Sequence, residues 1–302
     1  MKIAIVVLNY NTKGEILDCL ESLSKLQKDD NEIEIIIVDN ASTDDSVSAI
    51  RKNFKDLTIV ENQQNLGFSG GNNVGVKKTL KDKAEWFLIL NPDTTVDDRL
   101  ILELVKVANS DSLVGIIGPK IYFAKGLEFH KNRYKEGELG KVIWYAGGKI
   151  DWNNVLASHR GVDEVDKGHY QEIVETDFVS GAAMFVKSQV FEKIGFFDER
   201  YFLYLEDLEF CQRAKKAEFK IVFAPKAIVW HKNAASAKVG SSLQDYFITR
   251  NRLLFGLKYT PLRSKIALLH QAISFLVGRQ QVKRQAVFDF LTFRLGKGSF
   301  KI

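Results

Sequence analysis

The chain has 302 residues, 45% hydrophobic and 27% charged, an ordinary globular balance with room for one large α/β domain and an appendage. Its two cysteines, Cys19 and Cys211, lie far apart and outside any CxxC pair, which excludes a disulfide framework or structural zinc site and fits a reducing cytoplasm. The net charge of +5 is uneven: nine Lys/Arg against Asp289 alone make the segment from Lys258 onward +8, leaving the first 257 residues at −3.

The opening apolar run breaks at Asn9 without a small-residue cleavage site, so it reads as a first core strand and not a signal peptide. No stretch holds the roughly 18 apolar residues of a spanning helix. Ile3–Leu8, Ile33–Val38, Leu57–Val60 and Trp86–Leu90 read as four strands alternating with helical patterns, the signature of a parallel sheet flanked by helices. Thr12 with Glu15, and Ser42 with Asp45, have capping-box spacing, and Ile16, Leu20 and Leu23 share one helical face. Gly70–Lys83 and Val96–Asn109 read as further helices, and Val114–Ile117 as a fifth strand. Residues 125–172 are a polar, aromatic-rich insertion with a hairpin expected around Trp144–Trp152. Strands at Ile173–Val179, Ala182–Val186 and Lys220–Ala224 follow, with a helix from Ser188 between them; beyond Ser241 the pattern is helical.

Polar clusters follow each of the first four strands: Asn9-Tyr10-Asn11, Asp39-Asn40-Ala41-Ser42, Asn65-Leu66-Gly67-Phe68 with Gly70-Gly71-Asn72-Asn73, and Asn91-Pro92-Asp93. Each alone is ordinary turn chemistry. In an open parallel sheet, however, the carboxyl ends of the strands share one edge, so the four should converge on one ligand crevice. Asp39 can accept from a base imide or a ribose hydroxyl, the glycines would let backbone approach a ligand, and Asp93 suits a hard cation bridging two phosphates. Neither GxGxxG nor GxxxxGK[ST] is present, which disfavours a dinucleotide or P-loop site. Downstream, Glu206, Asp207 and Glu209 open a helix behind an aromatic stretch, where a buried carboxylate can rise toward a general base's range. As a bland alternative, acids also favour a helix's first turn for its dipole alone. His231 gains meaning only if it comes near Asp93.

The motifs Val38–Ser42, Asn65–Asn72, Leu90–Thr94, Ser180–Met184, Gly195–Glu199, Phe202–Glu209, Trp230-His231 and Arg250-Asn251 occur in an order that resembles the family 2 glycosyltransferases of the GT-A fold, most closely the rhamnosyltransferase-like branch. The resemblance implies a Rossmann-like, mostly parallel central sheet flanked by helices, with a helical C-terminal extension. A catalytic domain would cover 1–240, its nucleotide-sugar half 1–118 and its acceptor half 119–240 with insertion 125–172; a basic extension would cover 241–302. Asn9, Asn11, Asp39, Asn40, Asn65, Gly67, Gly70, Gly71, Asn72, Asn91, Asp93 and Arg250 would bind the donor. Asp207, with Glu206 beside it, would supply catalysis, and Asp93 with His231 would hold magnesium or manganese. Trp144, Gly181, Ala182 and Tyr204 would meet the acceptor, with His159-Arg160 in the same insertion. Asn91 replaces the first acid of the family's metal motif, leaving one carboxylate fewer. The implied activity is inverting transfer from dTDP-rhamnose or a UDP-sugar to a glycan or lipid-linked saccharide in cell-surface polysaccharide assembly.

The rival readings are a non-catalytic nucleotide-sugar or polysaccharide-binding module and a sugar nucleotidyltransferase. The second would want a basic glycine-rich loop where Asn9–Thr12 stands. Nucleic acid is not an expected partner, because the tail's aromatics sit at helical core spacing. The tail's apolar positions flanked by Lys/Arg fit either packing on the domain or contact with an anionic membrane, consistent with a cytoplasmic protein peripheral on the inner face of the plasma membrane. The oligomeric state is not legible.

Overall fold

A computed structural model describes residues 1–232 and 240–301. The first half runs β1 (Lys2–Asn9), α1 (Lys13–Ser24), β2 (Glu32–Asp39), α2 (Ser46–Asn53), β3 (Thr58–Glu61), α3 (Gly67–Lys81) and β4 (Trp86–Leu90). Continuous apolar runs such as Ile3–Val7 are fully buried because helices cover both faces of the sheet. On α1 the expected face, Ile16, Leu20 and Leu23, is buried together with Cys19.

Next come β5 (Thr94–Val96), α4 (Leu100–Ala108), β6 (Val114–Phe123), β7 (Ile143–Tyr145), β8 (Gly148–Asp151), β9 (Leu156–His159), β10 (Val174–Glu175), β11 (Ala183–Lys187), α5 (Ser188–Ile194), α6 (Glu206–Lys216) and β12 (Lys220–His231). Three helices follow: α7 (Ser242–Tyr259), α8 (Leu262–Val277) and α9 (Gln281–Leu291). The main sheet has the order β10-β12-β6-β11-β4-β1-β2-β3, with β5 beside β12 and β7 beside β6. β1 through β4 are mutually parallel; β11 opposes both β4 and β6, and β12 follows β6, so β6 and β12 point the same way as β1. Six strands therefore bring their carboxyl ends to one edge, and β11 starts there. This is the mostly parallel sheet with helical flanks that the sequence implied, and its architecture is GT-A.

Several local expectations are corrected. The helix expected from Val96 starts at Leu100, because Thr94–Val96 is instead a strand on β12, pairing Thr94 with His231 and Val96 with Val229. The strand Lys220–Ala224 does not stop at Pro225; a register shift between Ala224 and Ile228 absorbs the proline and carries β12 on to His231. The strand expected over Ile173–Val179 shrinks to two residues, since Thr176 and Asp177 turn their side chains to the backbone of β8 at Gly148 and Ile150. The insertion's hairpin is β8–β9, with β7 joined to β6. Neither expected capping box forms: Thr12 Oγ1 donates to Asn9 Oδ1 at 2.7 Å, and Ser42 serves Asn9 and Asn11. No helix among the described residues is long and apolar enough to cross a membrane.

Candidate active site

At the ends of β1 and β2, register pairs Asn9 with Asp39. Asn9 Nδ2 donates to Asp39 Oδ1 at 2.7 Å and to the hydroxyls of Ser42 and Ser46. The other oxygen of Asp39 accepts from the Ser42 amide at 2.9 Å. Asn40 donates to Asn65 Oδ1 and the Gly67 carbonyl and accepts from the Leu66 amide, while Asn65 caps the Gly67 amide at 2.8 Å. Gly67 has φ +71, a left-handed turn that glycine enters without a Cβ penalty. Asn11 accepts from the amides of Thr43 and Asp44. Six of the expected donor residues, Asn9, Asn11, Asp39, Asn40, Asn65 and Gly67, thus form one hydrogen-bonded frame.

Four others take no part in that frame. Gly70, Gly71 and Asn72 lie inside α3: a Cβ on Gly70 would meet Leu66, and one on Gly71 would strike Leu8 of β1. Asn72 donates to the Phe68 carbonyl at 3.0 Å. Gly71 thus serves close helix–strand packing, as Gly75 does against Val6, while Asn72 keeps a buried Oδ1 without a partner. Arg250 is fully buried on α7 and does not line the crevice; its guanidinium donates to the carbonyls of Arg200 and Tyr201 and stacks on Phe247.

On the other side of β1, the short β5 does what the sequence left conditional. By pairing with β12 it brings His231 Nε2 to 3.2 Å from Asp93 Oδ1, while the Lys232 amide donates to the Asp93 carbonyl. Burial pushes the Asp93 carboxyl up, but the His231 imidazole, by charge and hydrogen bond, and Lys232 outweigh it and hold it below the usual carboxylate range. His231 Nδ1 is buried without a partner. No group of three His, Cys, Asp or Glu gathers among the described residues. A charged carboxylate, an imidazole and the nearby Asn91 therefore fit a divalent cation only if ligand oxygens complete its shell, as a bound diphosphate would.

The acids lie at the start of α6, behind a loop in which Phe202, Tyr204 and Leu205 all have φ between +63 and +68. Such backbone costs on the order of 1–3 kcal/mol per residue and persists only where neighbours impose it. Here Asn251 Nδ2 donates at 2.8 Å to the carbonyls of Tyr201, Leu203 and Tyr204, and Arg250 holds Asn251 Oδ1 at 3.0 Å. The amide of Phe68 at the start of α3 grips the Phe202 carbonyl at 2.7 Å. The loop is thus clamped by α7 from one side and α3 from the other.

So presented, Asp207 accepts from the Gly181 amide at 3.0 Å and the Leu208 amide at 2.8 Å. Burial raises its pKa and these amides resist the rise. Glu206 is pushed much further up, by burial first and then by the charge of Asp207, and its Oε2 has no partner. Asp207 is therefore the member of the pair that ionises first, leaving Glu206 protonated. Tyr204 is raised to about 12 by burial and by Glu206.

A cavity of about 490 Å3 joins these groups, lined by Asn91, Asp93 and His231, by Glu206 and Asp207, and by Trp144, Gly181, Ala182 and Tyr204. Trp144 stands edge-on to both His231 and His159, at 4.5 and 4.3 Å between ring centres. Burial drives His159 down to about 4, so it is neutral at physiological pH. Sequence reasoning missed Phe178 and the face of α7 formed by Gln244, Ile248 and Arg252. Their four-residue spacing was a readable signal, hidden by their mixed chemistry.

Residues 4–188 match the family model described as Glycosyl transferase family 2, and the chain belongs to that family. Among curated proteins it is 27% identical over 256 residues to the low-salt glycan biosynthesis hexosyltransferase Agl10 of Haloferax volcanii, covering 83% of this chain and 74% of that protein. It is 24% identical over 248 residues to the N-acetylglucosaminyl-diphospho-decaprenol L-rhamnosyltransferase of Mycobacterium tuberculosis, covering 77% and 76%. A solved mannosyltransferase from Pyrobaculum calidifontis, in complex with GDP-Man and Mn2+, superposes with a TM-score of 0.56 at 16% identity, covering 99% of this chain and 76% of that one. The S. aureus TarS 1-349 complex with UDP gives 0.55 at 18% identity, covering 96% and 71%.

Proposed function

We propose that the chain transfers a sugar from a nucleotide-diphosphate donor, dTDP-rhamnose or a UDP-sugar, to a hydroxyl of a glycan or lipid-linked saccharide, with inversion, in cell-surface polysaccharide assembly. The observation that carries this reading is one cavity that brings Asp93 beside His231 together with Asp207 and Glu206. The names of the haloarchaeal and mycobacterial relatives, glycan hexosyl and lipid-linked rhamnosyl transfer, support the donor and acceptor classes.

The frame of Asn9, Asn11, Asp39, Asn40, Asn65 and Gly67 would seat the nucleotide, with Asp39 accepting from its base or ribose. Asp93 and His231, with Asn91 beside them, would hold magnesium or manganese, which as a Lewis acid would stabilise charge on the leaving diphosphate. Asp207 takes the proton of the acceptor hydroxyl as that oxygen attacks the anomeric carbon and the bond to the diphosphate breaks. Trp144, Gly181, Ala182 and Tyr204 shape the acceptor side. Residues 1–240 would be the catalytic unit and 241–302 its extension, with α7 lining the crevice from within that extension. The protein would work in the cytoplasm.

Incubation with labelled UDP- and dTDP-sugars, with manganese or with EDTA, tests the reading. Release or transfer of sugar from one donor, abolished by EDTA, is expected; turnover unaffected by EDTA would remove the cation from the account.

A further inference from the structure

α8 is apolar on two opposite faces. Toward the domain it turns Ser264, Leu268 and Ala272, and Leu268 fills the space left by Gly256 of α7. On the far side Leu262, Ile266, Leu269, Ile273 and Val277 stand between 44% and 82% exposed. At 3.6 residues per turn these five lie within an arc of about 80°, one stripe from the first residue of the helix to its last. The sequence pattern alone did not separate these faces: Leu268 is closed off, while its neighbour Leu269 is open.

The stripe is bordered by Arg263 and His270 on one side and Lys265 on the other, and α8 holds no acid. From Lys258 to Lys301 the only carboxylate side chain is Asp289, which is buried and bonded to Tyr246 and Ser299. Of the basic side chains in this segment, Lys258 and Lys283 alone form ion pairs among the described residues, with Glu209 and Asp245. A second copy of the chain laid on this face would oppose like charges across the stripe. An anionic bilayer offers apolar interior and negative headgroups in the matching arrangement.

We infer that this face of α8 seats the protein on an anionic lipid surface, its stripe among acyl chains and its flanking cations on headgroup phosphates. Arg252, which lines the crevice, bonds Gln271 of α8 at 2.6 Å, so a seated α8 holds the crevice beside that surface.

The test is co-sedimentation of the full chain with phosphatidylglycerol-containing and with pure phosphatidylcholine vesicles, at low and high salt. Pelleting with the anionic vesicles, weakened by salt, is expected. The doubly substituted Ile266→Asp/Ile273→Asp protein should lose about tenfold or more of that partition while keeping its melting temperature. Because both sites are exposed, folding should survive; Arg263→Glu/Lys265→Glu provides an independent arm in which the loss is confined to anionic vesicles. Equal pelleting of wild type on both lipids, or undiminished pelleting of either variant, would overturn the inference. So would a wild-type dimer in light scattering that Ile266→Asp/Ile273→Asp converts to monomer, since a second copy would then own the face.

Discussion

At the ends of β1 and β2, Asn9, Asp39, Asn40 and Asn65 satisfy one another and the backbone of the 62–67 turn. Across the sheet edge, Glu206 Oε2 and His231 Nδ1 are buried without partners, three residues ahead of α6 adopt left-handed backbone, and both acids of the pair are raised. The first region is a lattice whose polar groups stay buried cheaply because they are paired. The second is under-satisfied and strained, held in place from outside by Asn251 and Arg250. Unmet polar groups and stored strain gather where reacting groups must be met by a ligand, and paired ones where a ligand need only be positioned.

Breaking the clamp should produce the larger effect. Asn251→Ala frees three carbonyls and lets the 202–205 loop relax, so Asp207 shifts from its place. A loss of about 10²-fold in kcat is expected, with donor KM changed far less. Steady-state kinetics decide this, and unchanged kcat would mean that the loop holds itself. Asp39→Asn, in the lattice, should do the reverse. Its new NH2 group opposes either the Asn9 amide or the Ser42 amide, and donor binding should weaken about tenfold while kcat holds. Equal damage to kcat would erase the division between the two regions.

The smallest effect is on stability. Glu206 keeps its proton in the folded chain at pH values where the unfolded chain has released it, so folding stability falls as pH rises from the ordinary carboxylate range toward its raised value. Glu206→Gln should flatten that slope across the range above the ordinary carboxylate pKa. Melting curves that stay parallel for both proteins across that range would show Glu206 ionised in the fold.

The lattice was more legible in the sequence than the crevice. Contiguous apolar runs mark β1, β2 and β4, and the polar residues after each must meet at one edge. The crevice depends on β5, three residues long and paired with a strand more than a hundred positions away; short non-local pairing leaves no local periodicity. The left-handed residues were equally invisible, since Phe202, Tyr204 and Leu205 carry no glycine signal. Gly71 shows why glycine is an ambiguous sign: a missing side chain serves a packed strand, here Leu8, as well as a phosphate. Arg250 misled because a motif position does not say whether a guanidinium faces a ligand or the backbone of a neighbouring loop.

Asp207→Asn tests the division most directly, with donor binding by calorimetry and transfer by single-turnover kinetics measured on the same protein. The amide keeps the shape of the side chain but cannot take a proton. Transfer should fall by at least about 10²-fold with the donor dissociation constant within a factor of a few of wild type. Near-normal transfer, or loss of donor binding in step with it, would contradict Asp207 as the base.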